Sequence, residues 1–557
     1  MKYYYLPPLL LCSQLGLINS ACAEDTAQSI ERITTTASRS EALSTPLPLV
    51  ISVLSESQLE LIAPTHVEEA LQRVAGANVQ RGNGQEYLPA LRSQVLSGTG
   101  ACGGVLTAED GIALRAAGFC NINELFEAHS EMAERIEVLK GPGSALYGSN
   151  AVHGVINVIT PDTTQDSGLL GFDYGSYGYA RYKLRSGHAM DNSGVGINAS
   201  FTDDSGYRDD ESVKQQKINV RHRYNNSNLS LVSGLTYTNL DQQTAGYISG
   251  FQSYKDEDIA QQNFDPDAFR KARSLRAWSK ASWQLGENTL VVTPYIRDQS
   301  MDFFKHFLPG TPLEKNSQTG FGLQSLYQHY VNDNTNLKLG FDGEFTQADF
   351  LQTQDNPTQG SAFLVATVPQ GKHYDYQVDA TLYAPFAAID WQLNNWLITA
   401  GLRYEHMQYD YQNNMLAGRT KEDGSECGFG GCRYSRPEST KNSFSNLSPK
   451  LGVSYQLNIN NTLYANFSRG YRAPQAAELY QLQREQSTAD LDAEIANNAE
   501  LGIKGVYNNT RYGLSAYAMS KHNTIYRDSD FFTVNDGQTR HRGIELELAH
   551  SFNQHLS

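Results

Sequence analysis

The glycine-rich run at residues 98–103 is the part of this sequence that comes nearest to a cofactor-binding motif. It reads Gly-Thr-Gly-Ala-Cys-Gly and matches the G-x-G-x-x-G pattern by letter. A dinucleotide site would need a helix beginning there and an acidic residue about 20 positions further on, within a strand–helix–strand unit. The following segment is strand-like instead, and Asp110 comes too early. The run therefore predicts a flexible loop rather than a nucleotide site.

Patterns for other enzyme chemistry are also missing from the sequence. The 13 histidines are scattered, no H-E-x-x-H run occurs, and no G-x-S-x-G nucleophile elbow stands out. Adjacent carboxylates, such as Glu68 with Glu69 and Asp209 with Asp210, are explained more simply as solvated faces or loop charges. We therefore expect neither an enzyme nor a cofactor nor a resident metal.

The first 23 residues predict a secretory signal peptide. They carry one positive charge at Lys2 and a short apolar segment, and they end in an A-x-A-like cleavage site before Glu24. A lipoprotein acylated at Cys22 is the alternative, although Asn19 stands where such a signal would have an aliphatic residue. Both interpretations imply export.

Four of the six cysteines lie beyond this signal, in two local pairs. Cys102 and Cys120 form one pair, and Cys427 and Cys432 form the other. An even number of cysteines in an exported chain predicts two disulfides. A zinc site is the weaker alternative, because the spacings are not C-x2-C and no histidine doublet lies nearby.

Charge and hydropathy argue against two kinds of protein. The 557 residues include 60 Asp and Glu against 44 Lys and Arg, a net charge of −16, whereas a nucleic-acid-binding surface concentrates Lys and Arg. Beyond residue 30 no apolar run reaches the roughly 18 residues that a transmembrane helix needs. The content of 32 Tyr and 46 Gly fits an all-β protein instead.

From about residue 166 onward, apolar and polar residues alternate in strand-length segments. The faces predicted from this alternation are Leu337, Leu339, Phe341 and Phe345 opposite Lys338, Asp342 and Glu344; Leu463, Ala465 and Phe467 opposite Tyr464, Asn466 and Ser468; and Ile544, Leu546 and Leu548 opposite Gly543, Glu545 and Glu547. A period of two with one apolar face is what the wall of a membrane barrel needs, with lipid outside and water inside.

The connections between these segments are predicted to have two lengths. Short turns, such as residues 332–335 and 458–461, contrast with long polar loops at about 241–272, 300–320, 350–376 and 411–444. Short periplasmic turns and long external loops are typical of outer-membrane barrels. Between Tyr404 and Met407 the alternation changes parity, which predicts a β-bulge.

The most informative stretch is residues 133–160, with the sequence AERIEVLKGPGSALYGSNAVHGVINVIT. It predicts two short strands, 135–139 and 155–159, around a turn rich in glycine, a residue that permits positive φ and close approach of another backbone. The stretch closely resembles the plug domain of TonB-dependent outer-membrane receptors. His153 stands where that family usually has glycine.

Other segments resemble the same family. Residues 64–76 predict a helix with Thr65 as N-cap and Gly76 as its stop, and residues 105–114 predict a hairpin that turns at Asp110 and Gly111. Both match plug segments of the family. Residues 447–480, 500–505 and 542–548 resemble its barrel strands, so the matches run from about residue 31 to residue 548.

This resemblance implies an all-β membrane protein in the outer membrane of a Gram-negative bacterium. An α+β plug at residues 47–162 would occupy the lumen of a large antiparallel transmembrane β-barrel at residues 163–557. The family's barrel has 22 strands. Because the sequence stops after a strand that several more usually follow, we expect about five or six strands to be missing and the barrel to be incomplete.

The resemblance also implies a periplasmic tail at residues 24–46 that carries a TonB box. The box would consist of Glu31, Arg32, Ile33, Thr34, Thr35, Thr36, Ala37 and Ser38, with Thr35 in place of the family's valine. An extended peptide of this kind can add a strand to the edge of a partner's sheet. The expected partners are the TonB–ExbB–ExbD complex, outer-membrane lipid and a small-molecule metal chelate, with no nucleic acid and with the receptor as a monomer.

The implied function is active import of a scarce large nutrient, with a ferric siderophore as the first expectation. Cobalamin or another metal complex is the alternative within the family. A passive porin or an adhesin barrel is the alternative from another class, although a diffusion pore needs neither plug nor tail.

Aromatic and cationic residues in the plug loops 80–88, 97–104 and 115–124 and in the external loops could hold an anionic, ring-bearing chelate through stacking and charge. The ligand-binding candidates are Arg81, Tyr87, Arg115, Phe119, Tyr247, Tyr254, Lys305, His306 and Tyr374, with Phe251, Phe303, Phe304 and Tyr376 beside them.

Overall fold

The computed structural model describes residues 34–35, 42–43, 47–162, 165–553 and 556. Within them, residues 47–162 form a small α+β unit, and residues 167–550 form one large antiparallel sheet that surrounds it. Of the predicted TonB box, only Thr34 and Thr35 are described, as a two-residue strand. The rest of the box and the predicted signal peptide lie outside the described residues.

The α+β unit is built on a five-stranded sheet. Two short strands, β1 (Thr34–Thr35) and β2 (Ala42–Leu43), precede the unit. Its own elements are β3 (Ile51–Ser55), α1 (Glu56–Ile62), α2 (Val67–Leu71), β4 (Ala77–Arg81), β5 (Tyr87–Leu91), β6 (Val105–Glu109), β7 (Ile112–Ala113), β8 (Arg135–Lys140), α3 (Ser144–Tyr147) and β9 (Gly154–Ile159), with 3₁₀ turns at Glu124–Glu127 and Ser130–Met132. The sheet has the order β3-β8-β9-β6-β7, while β1 pairs with β2 and β4 with β5. The two strands predicted around the glycine-rich turn are β8 and β9, and they pair antiparallel.

Two local predictions in this unit have different outcomes. The hairpin turn is confirmed, because Asp110 and Gly111 both have positive φ, 51° and 82°, as a tight type I′ turn requires. The N-cap prediction is wrong by one residue. His66 caps α2, its Nδ1 accepting from the Glu68 N–H at 3.1 Å, whereas the Thr65 hydroxyl donates to Glu69 at 2.8 Å. The Thr65 hydroxyl is therefore bonded to the carboxylate of Glu69, four residues later in the chain, and does not cap the helix.

The large sheet contains sixteen strands, each paired with the next strand of the same sheet. They are β10 (Ser167–Tyr174), β11 (Ala180–Ala189), β12 (Ser193–Asp204), β13 (Val213–Asn225), β14 (Leu229–Gln243), β15 (Phe269–Leu285), β16 (Asn288–Phe304), β17 (Leu313–Asn332), β18 (Thr335–Gln354), β19 (Gly371–Leu393), β20 (Trp396–Asn413), β22 (Thr440–Asn458), β23 (Asn461–Arg472), β25 (Glu494–Tyr507), β26 (Thr510–Arg527) and β27 (Thr533–His550). Two short strands, β21 (Tyr434–Ser435) and β24 (Leu482–Gln483), pair with each other outside this sheet. Short helices α4 (Glu257–Ala260), α5 (Ala362–Thr367) and α6 (Ala476–Tyr480) and a 3₁₀ turn at Ser253–Lys255 lie in connections.

The sheet carries its apolar side chains on the outside. In β27, Ile544, Leu546 and Leu548 are 78%, 58% and 64% exposed, whereas Glu545 between them is 8% exposed and faces the enclosed unit. This arrangement is the inverse of a soluble protein and suits a wall with lipid outside and a polar lumen. The predicted all-β membrane wall around an α+β plug is confirmed. Among the described helices, none combines the length and the apolar character needed to cross a bilayer.

The predicted bulge between Tyr404 and Met407 is wrong. Strand β20 pairs with β19 and β22 without a register shift, and Arg403, Glu405, Met407 and Tyr409 all face inward and are buried. What changes along β20 is the environment of its two faces. Between the short turn and Tyr404, the outer face meets lipid and the inner face is polar. Between Met407 and the long loop, the inner face packs in an apolar cluster, so the apolar side chains move to the other face although the strand pairing is unbroken.

The connections sort by length, as predicted. Turns of two or three residues, such as 333–334 and 459–460, lie at one end of the wall, and the long loops 244–268, 305–312, 355–370 and 414–439 lie at the other. These loops are shorter than predicted, because the strands continue past the point where alternation stops being visible in the sequence.

Candidate functional site

Three loops of the plug (residues 47–162) lie at the long-loop end of the wall. The Asn83 side-chain amide donates to the carbonyl of Ala245 at 2.6 Å, which places the 82–86 loop against the long 244–268 loop. The Gly100 N–H donates to Glu478 at 3.0 Å, and the Cys120 N–H donates to Gln475 at 3.2 Å. The outward face of the plug therefore consists of the segments that the sequence predicted.

A disulfide joins two of these loops to each other. Cys102 and Cys120 are bonded, as are Cys427 and Cys432 in the 414–439 loop. Helix α6 packs over the first pair, and its Ala476 N–H donates to the carbonyl of Gly118 at 2.9 Å. The disulfide thus keeps the two outward loops of the plug at one position beneath α6.

A buried aromatic cluster covers this part of the plug. Its rings belong to Phe350, Tyr374, Tyr376, Tyr409, Tyr411, Tyr434, Tyr471 and Tyr480. Tyr411 stacks on Tyr480 with ring centroids 4.0 Å apart, and Phe350 stacks on Tyr376 at 4.9 Å. Tyr409 comes so close to Gly118 that a Cβ there would lie 2.0 Å from the phenol oxygen. Glycine at 118 is therefore required for this contact.

Some of the ligand-binding candidates meet at this aromatic cluster. Phe119 of the plug packs edge-on against Tyr409 at 5.9 Å. The Tyr374 hydroxyl donates to the carbonyl of Leu482 at 2.6 Å, and Tyr376 accepts from Gln481 at 3.0 Å. The structure thus brings together Phe119, Tyr374 and Tyr376 although more than 250 residues separate the first from the others.

Two other candidates have partners within the plug. Tyr87 is 1% exposed in the plug core, and its hydroxyl accepts from the Leu125 N–H at 2.9 Å. The Arg115 guanidinium forms a buried ion pair with Glu127 at 2.6 Å. Both side chains are therefore buried and bonded within the plug.

The remaining candidates lie in loops or at the ends of strands, away from the aromatic cluster. Tyr247, Phe251 and Tyr254 of the 244–268 loop are 82%, 93% and 73% exposed. Arg81 is half-exposed beside Glu69 at 3.5 Å. Four further candidates have local partners: Lys305 with Glu314, His306 with Asp265, Phe303 under Arg270, and Phe304 with Phe269.

A buried ionic seam, which the sequence did not predict, joins the plug to the wall. We define it as Arg92 and Lys140 of the plug with Glu500, Glu545 and Glu547 of the wall. The Arg92 fork binds Glu545 at 2.9 and 2.8 Å and also contacts Glu500. Lys140 binds Glu545 at 3.2 Å and Glu547 at 2.6 Å. Bidentate guanidinium–carboxylate pairs of this kind are among the strongest polar contacts in proteins.

Further polar contacts continue around the plug. The Glu405 carboxylate accepts from the Ser149 N–H at 3.2 Å and is held by Arg403 on the wall. Arg276 binds Glu109 at 2.7 Å, and Lys217 binds Glu131 at 2.8 Å. The plug is therefore fixed to strands on several sides of the lumen. The sequence contains one indication of these plug–wall contacts, because charged residues such as Glu545 alternate with residues that face the lipid.

Glu124 of the plug provides a test of these buried contacts. It accepts from the Thr107 hydroxyl and from the Asn121 N–H at 3.3 Å, and burial raises its pKa from 4.5 to about 7. Because the folded pKa is raised, the unfolded carboxyl ionises first as pH rises, so stability falls between about pH 4.5 and pH 7 by on the order of 3 kcal/mol. We therefore expect the Glu124 carboxyl, taken by itself, to stabilise the detergent-solubilised protein more at about pH 5 than at about pH 8, an effect measured as the difference between the wild type and a variant that lacks this carboxyl.

The variant Glu124→Gln should lose this component of the pH dependence, as measured by calorimetry at both pH values. The exposed Glu60→Gln is the matched control and should keep it. An unchanged pH dependence in Glu124→Gln would contradict the assignment.

The chemistry of the site is therefore binding by stacking, hydrogen bonds and charge. Across the described residues, no group of three or more His, Cys, Asp or Glu side chains is arranged to hold a metal ion.

Comparison with known proteins agrees with this architecture. A family model described as TonB dependent receptor-like, beta-barrel matches residues 153–557, and one described as TonB-dependent Receptor Plug Domain matches residues 45–155. The solved structure of the ferric citrate transporter FecA, in its unliganded form, is 17% identical, covers 91% of this chain and 75% of its own, and has a TM-score of 0.74.

Two further solved structures have the same fold. The ferric yersiniabactin uptake receptor FyuA from Yersinia pestis is 15% identical over 92% of this chain and 78% of its own, with a TM-score of 0.70. The copper transporter OprC is 14% identical over 90% and 76%, with a TM-score of 0.67. Since the barrel model alone covers well over half of the sequence, this chain belongs to the TonB-dependent receptor family of outer-membrane transporters.

Proposed function

We propose that this receptor imports a ferric siderophore across the outer membrane by a TonB-driven movement of its plug. The observation that carries the proposal is the position of the plug's outward loops, tied by Cys102–Cys120, directly beneath the aromatic cluster. A large ring-bearing ligand that enters from outside would meet aromatic surface first and the plug next.

The contacts between plug and wall support an energised mechanism over passive diffusion. Arg92, Glu109, Glu131 and Ser149 of the plug are each bonded to a different part of the wall. A large solute could pass only after several of these buried contacts are broken. Such a step needs work, which a pull from TonB on the tail would supply.

The topology of the plug suggests where that work would be applied. Strand β3 is the first element after the tail and lies at the edge of the plug sheet, where β8 is its one strand partner among the described residues. A pull through the tail would therefore reach this five-residue pairing before the rest of the sheet.

The ligand contacts proposed for the closed receptor are Phe119, Tyr374 and Tyr376, with Tyr247, Phe251 and Tyr254 as exposed residues for first capture. Aromatic side chains offer a stacking surface at little entropic cost. Tyr87 and Arg115 are proposed instead to support the plug, because Tyr87 lies in the plug core and Arg115 forms a buried ion pair with Glu127 of the same domain.

Uptake of a panel of labelled compounds tests the substrate class. Iron-starved cells with and without the receptor would be given radioactive iron in several siderophores, labelled cobalamin and copper. The proposal predicts receptor-dependent uptake of at least one ferric siderophore, which disappears in cells that lack TonB. Uptake of cobalamin or copper alone would support the alternative metal-complex function, which the fold shared with a copper transporter also permits. Receptor-dependent iron uptake that persists without TonB would contradict the proposal.

A further inference from the structure

Two arginines lie side by side at the long-loop end of the receptor, which we call its roof. Arg433 directly precedes β21, and Arg484 directly follows β24, the two short strands that pair across the long-loop end. The Arg484 N–H donates to the carbonyl of Arg433 at 2.8 Å, so the two residues are neighbours in space. The loops that carry them are separate in the sequence.

A single aromatic ring holds both guanidinium groups. The Cζ atom of Arg484 lies 4.2 Å from the centroid of the Phe531 ring, and that of Arg433 lies 5.5 Å from it. A third arginine, Arg527, stands at the base of the hairpin loop that carries Phe531. Stacking on an aromatic ring orients a guanidinium without using its N–H donors.

The three positive charges are not neutralised by carboxylates. Throughout the described part of the chain, Arg433, Arg484 and Arg527 form no ion pair, and the Arg484 Nε is buried without a hydrogen-bond partner. Two acidic residues adjacent in sequence have other partners: Glu485 pairs with Arg419 at 2.8 Å, and Asp528 accepts from backbone N–H groups.

Another arginine of the chain shows the contrasting arrangement. The chain has a net charge of −16, and the nearby Arg472 is fully paired with Glu478 and Glu494. Burial and the charge of Arg484 lower the pKa of Arg433, because both disfavour its charged form. Like charges held together without a counter-charge are stabilised when an anion binds between them.

We propose that Arg433, Arg484 and Arg527, which we call the roof arginines, bind the carboxylate oxygens of a multiply charged anionic metal chelate. The inference rests on the proposed function and narrows its ligand to polycarboxylate-type chelates. The two forks that share Phe531 match the planar two-oxygen geometry of carboxylates. Tyr374 of the aromatic cluster donates to the carbonyl of Leu482, two residues before Arg484, so the cluster contacts the strand that precedes this arginine.

Binding to the purified full-length receptor tests this inference without any need for TonB. Ferric citrate is the anionic probe, and an uncharged ferric trihydroxamate is the comparison, with quenching of protein fluorescence as the readout. Each of Arg433→Gln and Arg484→Gln should weaken ferric citrate binding about tenfold, the loss expected for one charge-assisted contact. Added salt should weaken ferric citrate binding to the wild type more than it weakens binding to the double variant Arg433→Gln/Arg484→Gln.

The matched control is Arg208→Gln, another arginine of a long loop, whose guanidinium donates to the carbonyl of Gln262. It should bind ferric citrate as the wild type does, and heat-modifiable gel mobility verifies that every variant is folded. Affinities unchanged in both roof variants would overturn the inference, as would wild-type receptor that binds the trihydroxamate as tightly as citrate.

These outcomes are separate from a failure of the proposed function. If the wild type takes up an uncharged siderophore through TonB while the roof variants behave normally, the anion site is wrong and the import function stands. If no ferric chelate binds or enters, both are wrong.

Discussion

Replacing Arg92 by alanine is expected to release the plug from one side of the wall. The substitution leaves Glu500, whose side chain is fully buried, without its cationic partner and leaves Glu545 with Lys140 alone. Removing one member of a buried ion pair costs on the order of 3–5 kcal/mol. The plug should therefore detach locally at least about a hundredfold more often, measurable as faster hydrogen exchange in β4 and β5.

Three controls make this result specific to the ionic seam. Arg73→Ala removes an exposed arginine of the same plug segment and should change nothing. Arg92→Lys keeps the charge but loses the bidentate fork, so its effect should be intermediate. Heat-modifiable mobility of the wall must stay normal. Hydrogen exchange in Arg92→Ala equal to that of Arg73→Ala would mean that the seam does not hold the plug.

Much of the fold was predictable because its determinants are local. The pairing of β8 with β9 follows from two apolar runs around glycines, and the turn at Asp110 and Gly111 follows from the residues that tolerate positive φ. The wall follows from strict alternation, as at Ile544 and Leu546.

The error at Tyr404 and Met407 shows the limit of that reasoning. Alternation reports which face is apolar, and it does not report whether lipid, water or protein lies on that face. Where β20 leaves the lipid zone, its inner side chains Met407, Tyr409 and Tyr411 pack in the aromatic cluster. In the sequence, this change in the environment of the strand looks the same as the shift in register that a β-bulge would cause.

The candidate site was less predictable because its contacts join distant parts of the chain. Alternation placed Glu545 on the inner face, but nothing in the sequence pairs it with Arg92, 453 positions earlier. The chemistry and loop position of Tyr87 and Arg115 predict contacts with a ligand, and only tertiary packing shows that the partners of these side chains are Leu125 and Glu127. The roof arginines come from three separate segments, so the sequence does not show that they lie close together.

The second large effect is expected from the tail. Residues 31–38 resemble the TonB box by sequence, and they precede β3, the edge strand of the plug sheet. Without this segment TonB would have no strand to pair with, so no force would reach the plug. The outward face of the plug, at the long-loop end of the wall, would still bind ligand. The substitution Thr35→Pro should also reduce uptake without reducing binding, because proline cannot donate a hydrogen bond to a β-ladder. Thr26→Pro, which lies outside the box, is the matched control.

The most direct test of TonB-driven import is therefore to measure binding and uptake of one radioactive ferric siderophore in the same cells, with residues 31–38 present or deleted. Binding should be unchanged, and uptake should fall to the level of cells that lack TonB. Uptake that survives the deletion at the wild-type rate would contradict the coupling of this plug to TonB.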